Sequence, residues 1–348
     1  MSQKKVTVAL VGYGYWGKNL LRNMFANPRM SVIGVVEKSA AGQQRLAQLR
    51  LETPVFSTME QLFEAVSPEA VVIATPPDTH CEIAVTALKN GAHVLIEKPM
   101  ATTTAECDRI LDAAVKAKRN VMIDHTFLYH APVRYLGKNI HEGTYGDLLY
   151  YDSVRVNLGG IQMTNVLWDL APHDLSILDA FTKGATPNTV TTVGVKHFGY
   201  PVETMCYSTL QYDNNFIAHL HLNWIAPVKG RQITIGGSQK MVVWDDNTPL
   251  EKVRIYDRGV KIENVTDNDL KVNYRVGDMV APAIIDREAL SEMLNEFVDS
   301  IFEGRKPMSD GEHGRRVVQT LEAMAKSMSS QGTPVLVQPA KPRIVKAG

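Results

Sequence analysis

Val6-Thr7-Val8-Ala9-Leu10-Val11-Gly12-Tyr13-Gly14-Tyr15-Trp16-Gly17 is the stretch on which the fold turns. Its first half is a short, nearly continuous apolar run, as in a strand buried on both faces of a parallel sheet. Its second half is G-x-G-x-x-G, followed by Lys18-Asn19-Leu20-Leu21-Arg22, which reads as helix. In that strand-turn-helix setting each glycine has a task. Gly12 permits the tight turn, Gly14 lets backbone approach a pyrophosphate, and Gly17 allows close helix packing, while the first-turn amides of Tyr15 and Trp16 face the phosphates. Glu37 ends the next strand, where an acid binds the adenosine ribose hydroxyls. A carboxylate there repels a 2′-phosphate, so NAD is expected over NADP, with Lys38 and Ser39 beside it softening the preference. The plain alternative is a glycine turn with a surface glutamate.

Outward from this unit the pattern repeats. Apolar runs at 30–36, 70–74, 93–96 and 121–123 predict further strands. Thr58-Met59-Glu60-Gln61 and Thr103-Thr104-Ala105-Glu106 fit capping boxes, and Asn90-Gly91 and Arg119-Asn120 supply helix stops. Alternating strands and helices joined by short loops give a doubly wound parallel sheet over residues 4–124. Residues 1–125 are therefore read as an NAD(P)-binding Rossmann domain. Thr75 and Pro76 end the fourth strand beside the expected dinucleotide. His80 follows at a helix start, either near the cofactor or as a local hydrogen-bonding residue. Glu97-Lys98-Pro99 ends the run Val94-Leu95-Ile96. Ligands of open α/β sheets lie outside the carboxyl ends of the strands, so an amine held there is placed for chemistry. The triplet alone does not separate that from a solvated lysine in a loop.

From about residue 146 the period changes to alternation, the sign of an antiparallel sheet with two unlike faces. Runs at 150–156, 204–212, 215–224, 231–235 and 240–244 predict strands, and 286–303 and 311–329 predict amphipathic helices. Residues 126–348 are thus expected to form a substrate-binding and oligomerisation α/β domain with a large, mainly antiparallel open sheet. One sheet face would be covered by helices and the other would pair copies into a homodimer or homotetramer. His219 and His221 share a strand side, but no third ligand stands at a fixed spacing and no metal is expected. Trp224 and Trp244 read as core or interface anchors.

Trp168-Asp169-Leu170-Ala171-Pro172-His173-Asp174 sets an acid and a histidine one helical turn apart. If the segment is helical throughout they share a face; if Pro172 starts the helix they flank its N-terminus. A histidine oriented by a carboxylate is a competent base near neutral pH. A capping aspartate beside a half-buried histidine is the simpler reading. Arg155 and Asn157, before Gly159-Gly160, offer a mouth for polar groups, and Lys229 and Arg231 offer cations for a diphosphate. His125 and Tyr129 follow the last Rossmann strand and are candidates to line the crevice, with Trp168 a further candidate contact.

Composition restricts the partners. Lys plus Arg and Asp plus Glu both number 37 in 348 residues, so no net field points to nucleic acid or a membrane. Cys81, Cys107 and Cys206 are far apart and form no C-x-x-C pair, which fits a reduced compartment. No uncharged apolar run would span a bilayer, and 6–11 is too short for a signal segment. A cytoplasmic protein meeting small molecules is expected.

Taken together, Gly12-x-Gly14-x-x-Gly17, Val72-Ile73-Ala74-Thr75-Pro76-Pro77, Glu97-Lys98-Pro99 and Asp169-x-x-x-His173 resemble the glucose-fructose oxidoreductase, inositol dehydrogenase and rhizopine catabolism (Gfo/Idh/MocA) family across essentially the whole chain. The resemblance implies a Rossmann domain, a second domain with a large open sheet, and NAD(P)-dependent oxidation or reduction of a sugar or polyol. The family's Lys, Asp and His fall on Lys98, Asp169 and His173. Many members carry Gly two residues before the His, where this chain has Ala171. Trp168 to Asp174 and Gly14-Tyr15-Trp16-Gly17 resemble the branch with UDP-N-acetylglucosaminuronate 3-dehydrogenases. On that basis His173 is the expected base, oriented by Asp169, with Lys98 steadying the alkoxide, and the two roles are exchangeable. An inositol or free-sugar dehydrogenase, a keto-sugar reductase of deoxysugar assembly, and a non-catalytic dinucleotide sensor stay open as alternatives.

Overall fold

In the computed structural model, residues 4–338 are described, apart from 161, 163, 267 and 268. The basic tail noted at 341–348 lies outside them. In chain order the elements are β1 (Val6–Val11), α1 (Tyr15–Ala26), β2 (Met30–Val36), α2 (Ala40–Gln48), β3 (Val55–Phe56), α3 (Met59–Ala65), β4 (Ala70–Ile73), α4 (His80–Lys89), β5 (His93–Glu97), α5 (Thr104–Ala117) and β6 (Val121–Asp124). There follow α6 (Ala131–His141), β7 (Leu148–Leu158), α7 (Val166–Phe181), β8 (Thr189–Val195), β9 (Met205–Gln211), β10 (Ile217–Asn223), β11 (Ile225–Gly237), β12 (Met241–Asp245), β13 (Val253–Thr266), β14 (Asp269–Val280), α8 (Ala289–Phe302), α9 (Gly311–Ser329) and β15 (Val335–Leu336). Among the described residues no helix is long and apolar enough to cross a membrane.

Two compact units form, Met1–His130 with Arg287–Val318, and Ala131–Asp286 with Gln319–Gly348. Where the sequence suggested one boundary at 125, the units are discontinuous. The reason lies in β6: Ser309 Oγ donates to the Ile123 carbonyl at 2.7 Å, the Ile123 amide donates to the Ser309 carbonyl at 2.8 Å, and Asp310 bridges Met122.

The first unit holds a sheet of order β3-β2-β1-β4-β5-β6, the doubly wound order, with parallel pairing throughout. Val8, Leu10, Val72, Leu95 and Ile96 are fully buried, as expected of strands covered on both faces. Both expected capping residues accept the helix amides, Thr58 at α3 and Thr103 at α5, where Glu106 completes the box. The stop of α5 is Lys118, in the left-handed region, one residue before the expected Arg119.

The second unit holds a sheet of order β14-β13-β12-β11-β7-β10-β9-β8-β15, antiparallel except for β7 with β10. Its expected alternation is observed, with α7 packed on β7, β9 and β10. Tyr151, Ser153 and Arg155 face inward on β7, whereas Val154, Tyr207 and Ile217 keep about two-fifths of their surface exposed, at 37%, 43% and 41%. Strands β8, β13, β14 and β15 extend the sheet beyond the expected runs.

Candidate active site

The glycine turn is shaped by close approaches. Gly12 has φ +95°, and a Cβ there would lie 2.6 Å from the Ala74 carbonyl oxygen; a Cβ on Gly17 would lie 2.2 Å from the Gly12 oxygen. A Cβ on Gly14 would meet nothing within 4 Å, so Gly14 leaves clear space over the start of α1. Gly14 contributes no side-chain cap, and the first-turn amides at Tyr15 and Trp16 stay available to an anion. Tyr15 is exposed.

Glu37 follows β2 and is 9% exposed. Its Oε2 accepts the Tyr13 amide at 2.7 Å, and Oε1 accepts the Ser39 amide and hydroxyl at 2.8 and 2.6 Å. Burial pushes the carboxyl up, but the Ser39 and Tyr13 donors outweigh it and hold Glu37 below the usual carboxylate range. Lys38, next to it, is exposed. An open amide cradle plus an ionised, oriented carboxylate at the end of β2 fits NAD.

Lys98 directly follows β5 and is half-buried; the Lys98–Pro99 bond is cis. Glu97 pairs in register with Asp124. Near them His80 is wholly buried, its ring nitrogens 2.9 Å from the Pro99 carbonyl oxygen and 2.8 Å from that of Thr75. His80 therefore joins the turn at Thr75 and Pro76 to the turn after Lys98, the local hydrogen-bonding role that the sequence offered as one of its two readings. Burial holds its pKa below the ordinary histidine value.

In the second unit α7 is one helix from Val166, capped by Asn165, whose side chain accepts the Trp168 amide at 3.1 Å. Pro172 lies inside it, so Asp169 and His173 do share a helix face; both are half-buried, as is Trp168. The buried Trp224 indole donates to Asp169 Oδ2 at 3.0 Å. Sequence reasoning had Trp224 as a core anchor and missed this bond, since nothing local links the two residues.

Several candidate contacts are committed elsewhere. Arg155 is 5% exposed and bonds both carboxylate oxygens of Asp174, at 2.9 and 2.8 Å, so it is no mouth residue. Arg231 pairs with Asp246 at 2.5 Å. Tyr129 is buried and its hydroxyl meets Ser309 Oγ at 2.9 Å, and His125 is buried with its ring 5.2 Å from that of His313. Both therefore meet the segment 309–313. Asn157 is half-buried with an Oδ1 that has no hydrogen-bond partner among the described residues, and Lys229 is exposed. Asp124 and Asp174 are further functional candidates that the sequence did not single out; a carboxylate ending the apolar run of β6 was a usable signal for the first.

A family model described as an oxidoreductase family with NAD-binding Rossmann fold matches residues 6–125, and the GFO/IDH/MocA C-terminal domain matches residues 133–243. The chain is similar to a 2,7-anhydro-N-acetylneuraminate hydratase of Mediterraneibacter gnavus, 26% identical over 360 residues that cover 93% of this chain and 95% of that protein. It is equally similar, 26% over 317 residues covering 89% and 93%, to UDP-N-acetylglucosamine 3-dehydrogenase of Acidithiobacillus ferrooxidans. A solved structure of that enzyme superposes with TM-score 0.78 at 24% identity, covering 94% and 98%. The WlbA dehydrogenase of Bordetella pertussis, solved with NADH and UDP-GlcNAcA, superposes with TM-score 0.78 at 17% identity, covering 97% and 100%. These superpositions establish a shared fold.

Proposed function

The chain belongs to the GFO/IDH/MocA oxidoreductase family, and from that premise we propose that it transfers a hydride between nicotinamide and a secondary alcohol or ketone of a nucleotide-linked sugar. The observation that carries the reading is the place of Lys98. It stands at the carboxyl end of β5, in the same parallel sheet whose β1 and β2 end in the glycine turn and Glu37. Bound NAD supplies the hydride acceptor. As hydride leaves the alcohol carbon the hydroxyl must lose its proton. In this reading His173 takes it, oriented by Asp169, and the Lys98 ammonium stabilises the negative charge on oxygen. For reduction of a ketone the same groups act in reverse. Glu37, fixed by Ser39 and Tyr13, selects NAD over NADP by refusing a 2′-phosphate.

The nucleotide-linked substrate is supported by the near full-length UDP-N-acetylglucosamine 3-dehydrogenase relative. The exposed cation of Lys229 suits a diphosphate. Self-association through the open sheet face is supported by the exposed Val154, Tyr207 and Ile217, and light scattering on the purified protein would read it.

The test follows absorbance of reduced nicotinamide across UDP- and dTDP-sugars, free sugars and inositols. Turnover on a nucleotide sugar is expected, and Lys98→Met should keep NAD affinity while losing about a hundredfold or more in turnover. Response to free sugars or inositols alone would overturn the nucleotide-linked substrate, and full turnover in Lys98→Met would overturn the role of Lys98. The hydratase relative favours one second reading, a reaction with no net redox change. Following substrate loss by mass in the same panel separates the two.

A further inference from the structure

Ser39, Thr58 and Thr103 cap helices α2, α3 and α5 with their side chains. Helix α1 begins at Gly14, which has no side chain to offer, and the bond from the Lys18 amide to the Gly14 carbonyl is long at 3.4 Å. An uncapped first turn leaves its amides to an anion, but glycine's conformational freedom also leaves that turn loosely held. It is held instead from outside, at two points. On one side the Gly12 amide donates to the Val36 carbonyl at 2.8 Å and the Tyr13 amide to Glu37 Oε2 at 2.7 Å, tying the turn to β2 and its end. On the other side the Trp16 indole donates to Oδ2 of Asp124, the last residue of β6, at 2.7 Å. Strands β4 and β5 stand between β1 and β6, so this second tie reaches the far edge of the sheet.

Asp124 is fitted to receive the indole. It is 1% exposed, and the Thr126 hydroxyl donates to Oδ1, which leaves Oδ2 turned to Trp16. A carboxyl so deeply placed is costly unless donors meet its oxygens, and here both oxygens are met. Trp16 is half-buried, whereas its neighbour Tyr15 is 86% exposed. We propose that Asp124 is a positioning residue for the dinucleotide: through the Trp16 indole it fixes the first turn of α1, where the pyrophosphate is received. The two ties bracket Gly14 and Tyr15, so the open amides are in place before the ligand arrives and less affinity is lost in ordering them. The proposal asks only that the glycine turn bind NAD, whichever substrate is turned over.

Calorimetric titration of the full chain with NAD and with ADP-ribose, which keeps the pyrophosphate and lacks nicotinamide, tests this without a sugar substrate. Trp16→Phe and Asp124→Leu each delete the bond, and each is expected to weaken both ligands about tenfold, the scale of one hydrogen bond to a charged group. Asp124→Asn keeps an acceptor for the indole and should restore most of the affinity lost in Asp124→Leu. Trp16→Phe combined with Asp124→Leu should bind no more weakly than either alone, because the same bond is missing in all three. Unchanged dissociation constants beside a lower urea midpoint overturn the proposal, as do additive losses or a loss confined to NAD. Should Asp124→Leu fail to fold, Trp16→Phe and Asp124→Asn carry the test: only the first should weaken ADP-ribose, and equal affinities in the two overturn the proposal. Failure of the nucleotide-sugar reading would appear separately, in the nicotinamide absorbance panel, and would leave these dissociation constants as they are.

Discussion

Arg155 grips Asp174 through both arms of its guanidinium, Nε to Oδ2 at 2.9 Å and Nη2 to Oδ1 at 2.8 Å, inside the second unit. Asp174 directly follows His173, so β7 sets how α7 is turned about its axis. Removing one partner of such a pair leaves an uncompensated buried charge. Arg155→Met and Asp174→Asn are each expected to cost about 3–5 kcal/mol, and the double change less than their sum. Urea unfolding of the four proteins measures the coupling; strictly additive losses would refute it.

Trp224→Phe keeps a ring in the core and deletes the donor to Asp169. A hydrogen bond to a charged group contributes about 1.5–3 kcal/mol, so turnover should fall about tenfold or more. NAD affinity, read by calorimetry, should not change. An equal loss of both would mean that Trp224 acts on the fold at large rather than on Asp169.

Ser39→Ala frees Oε1 of Glu37 from its 2.6 Å hydroxyl donor. The carboxylate is then less firmly aimed, and selectivity for NAD over NADP should fall several-fold, on the order of one hydrogen bond of about 1 kcal/mol. Dissociation constants for both dinucleotides decide it. An unchanged ratio would show that the Tyr13 and Ser39 amides suffice.

His93 carries a pH dependence of stability. Its Nδ1 accepts the Asn120 amide at 3.0 Å, and burial, helped by the Arg119 charge, lowers its pKa to about 4. In the unfolded chain the ordinary value is about 6.5. Between those two values the unfolded state binds more protons, so this contribution is complete above the unfolded pKa and is lost as the pH falls toward the folded one. His93→Asn, whose Oδ1 can accept the same amide, should flatten the slope of unfolding free energy against pH in that window. A slope matching the unmodified protein would locate the dependence elsewhere.

What could be read from the sequence was whatever neighbouring residues encode together. The glycine turn, Glu37 and the capping boxes are local spacings, and the sheet order of the first unit follows from short right-handed connections. Alternation along β7 separated two faces but did not say which was inward, so Arg155 was taken for a mouth residue when it faces α7. The contacts of Tyr129 and His125 were hidden for another reason: Ser309 and His313, which they meet, come from far along the chain. The bond from Trp224 to Asp169 is likewise non-local. Pro172 left two helix starts open, and the Asn165 cap decides between them. Strand β3 spans two residues, and the hairpin of β13 and β14 exposes side chains along most of its described length, so neither offered a clear period.

The discontinuity of the first unit has a consequence for biosynthesis. Strand β6 ends its sheet, and the segment that bridges it at Met122 and bonds Ile123 is made only after residues 131–286. Domains ordinarily fold in the order in which they leave the ribosome. Here the first sheet emerges early but keeps a bare strand edge throughout translation of the second unit, and bare edges invite pairing with other chains. A nascent chain stalled before residue 287 would therefore be the form of this protein most in need of a chaperone.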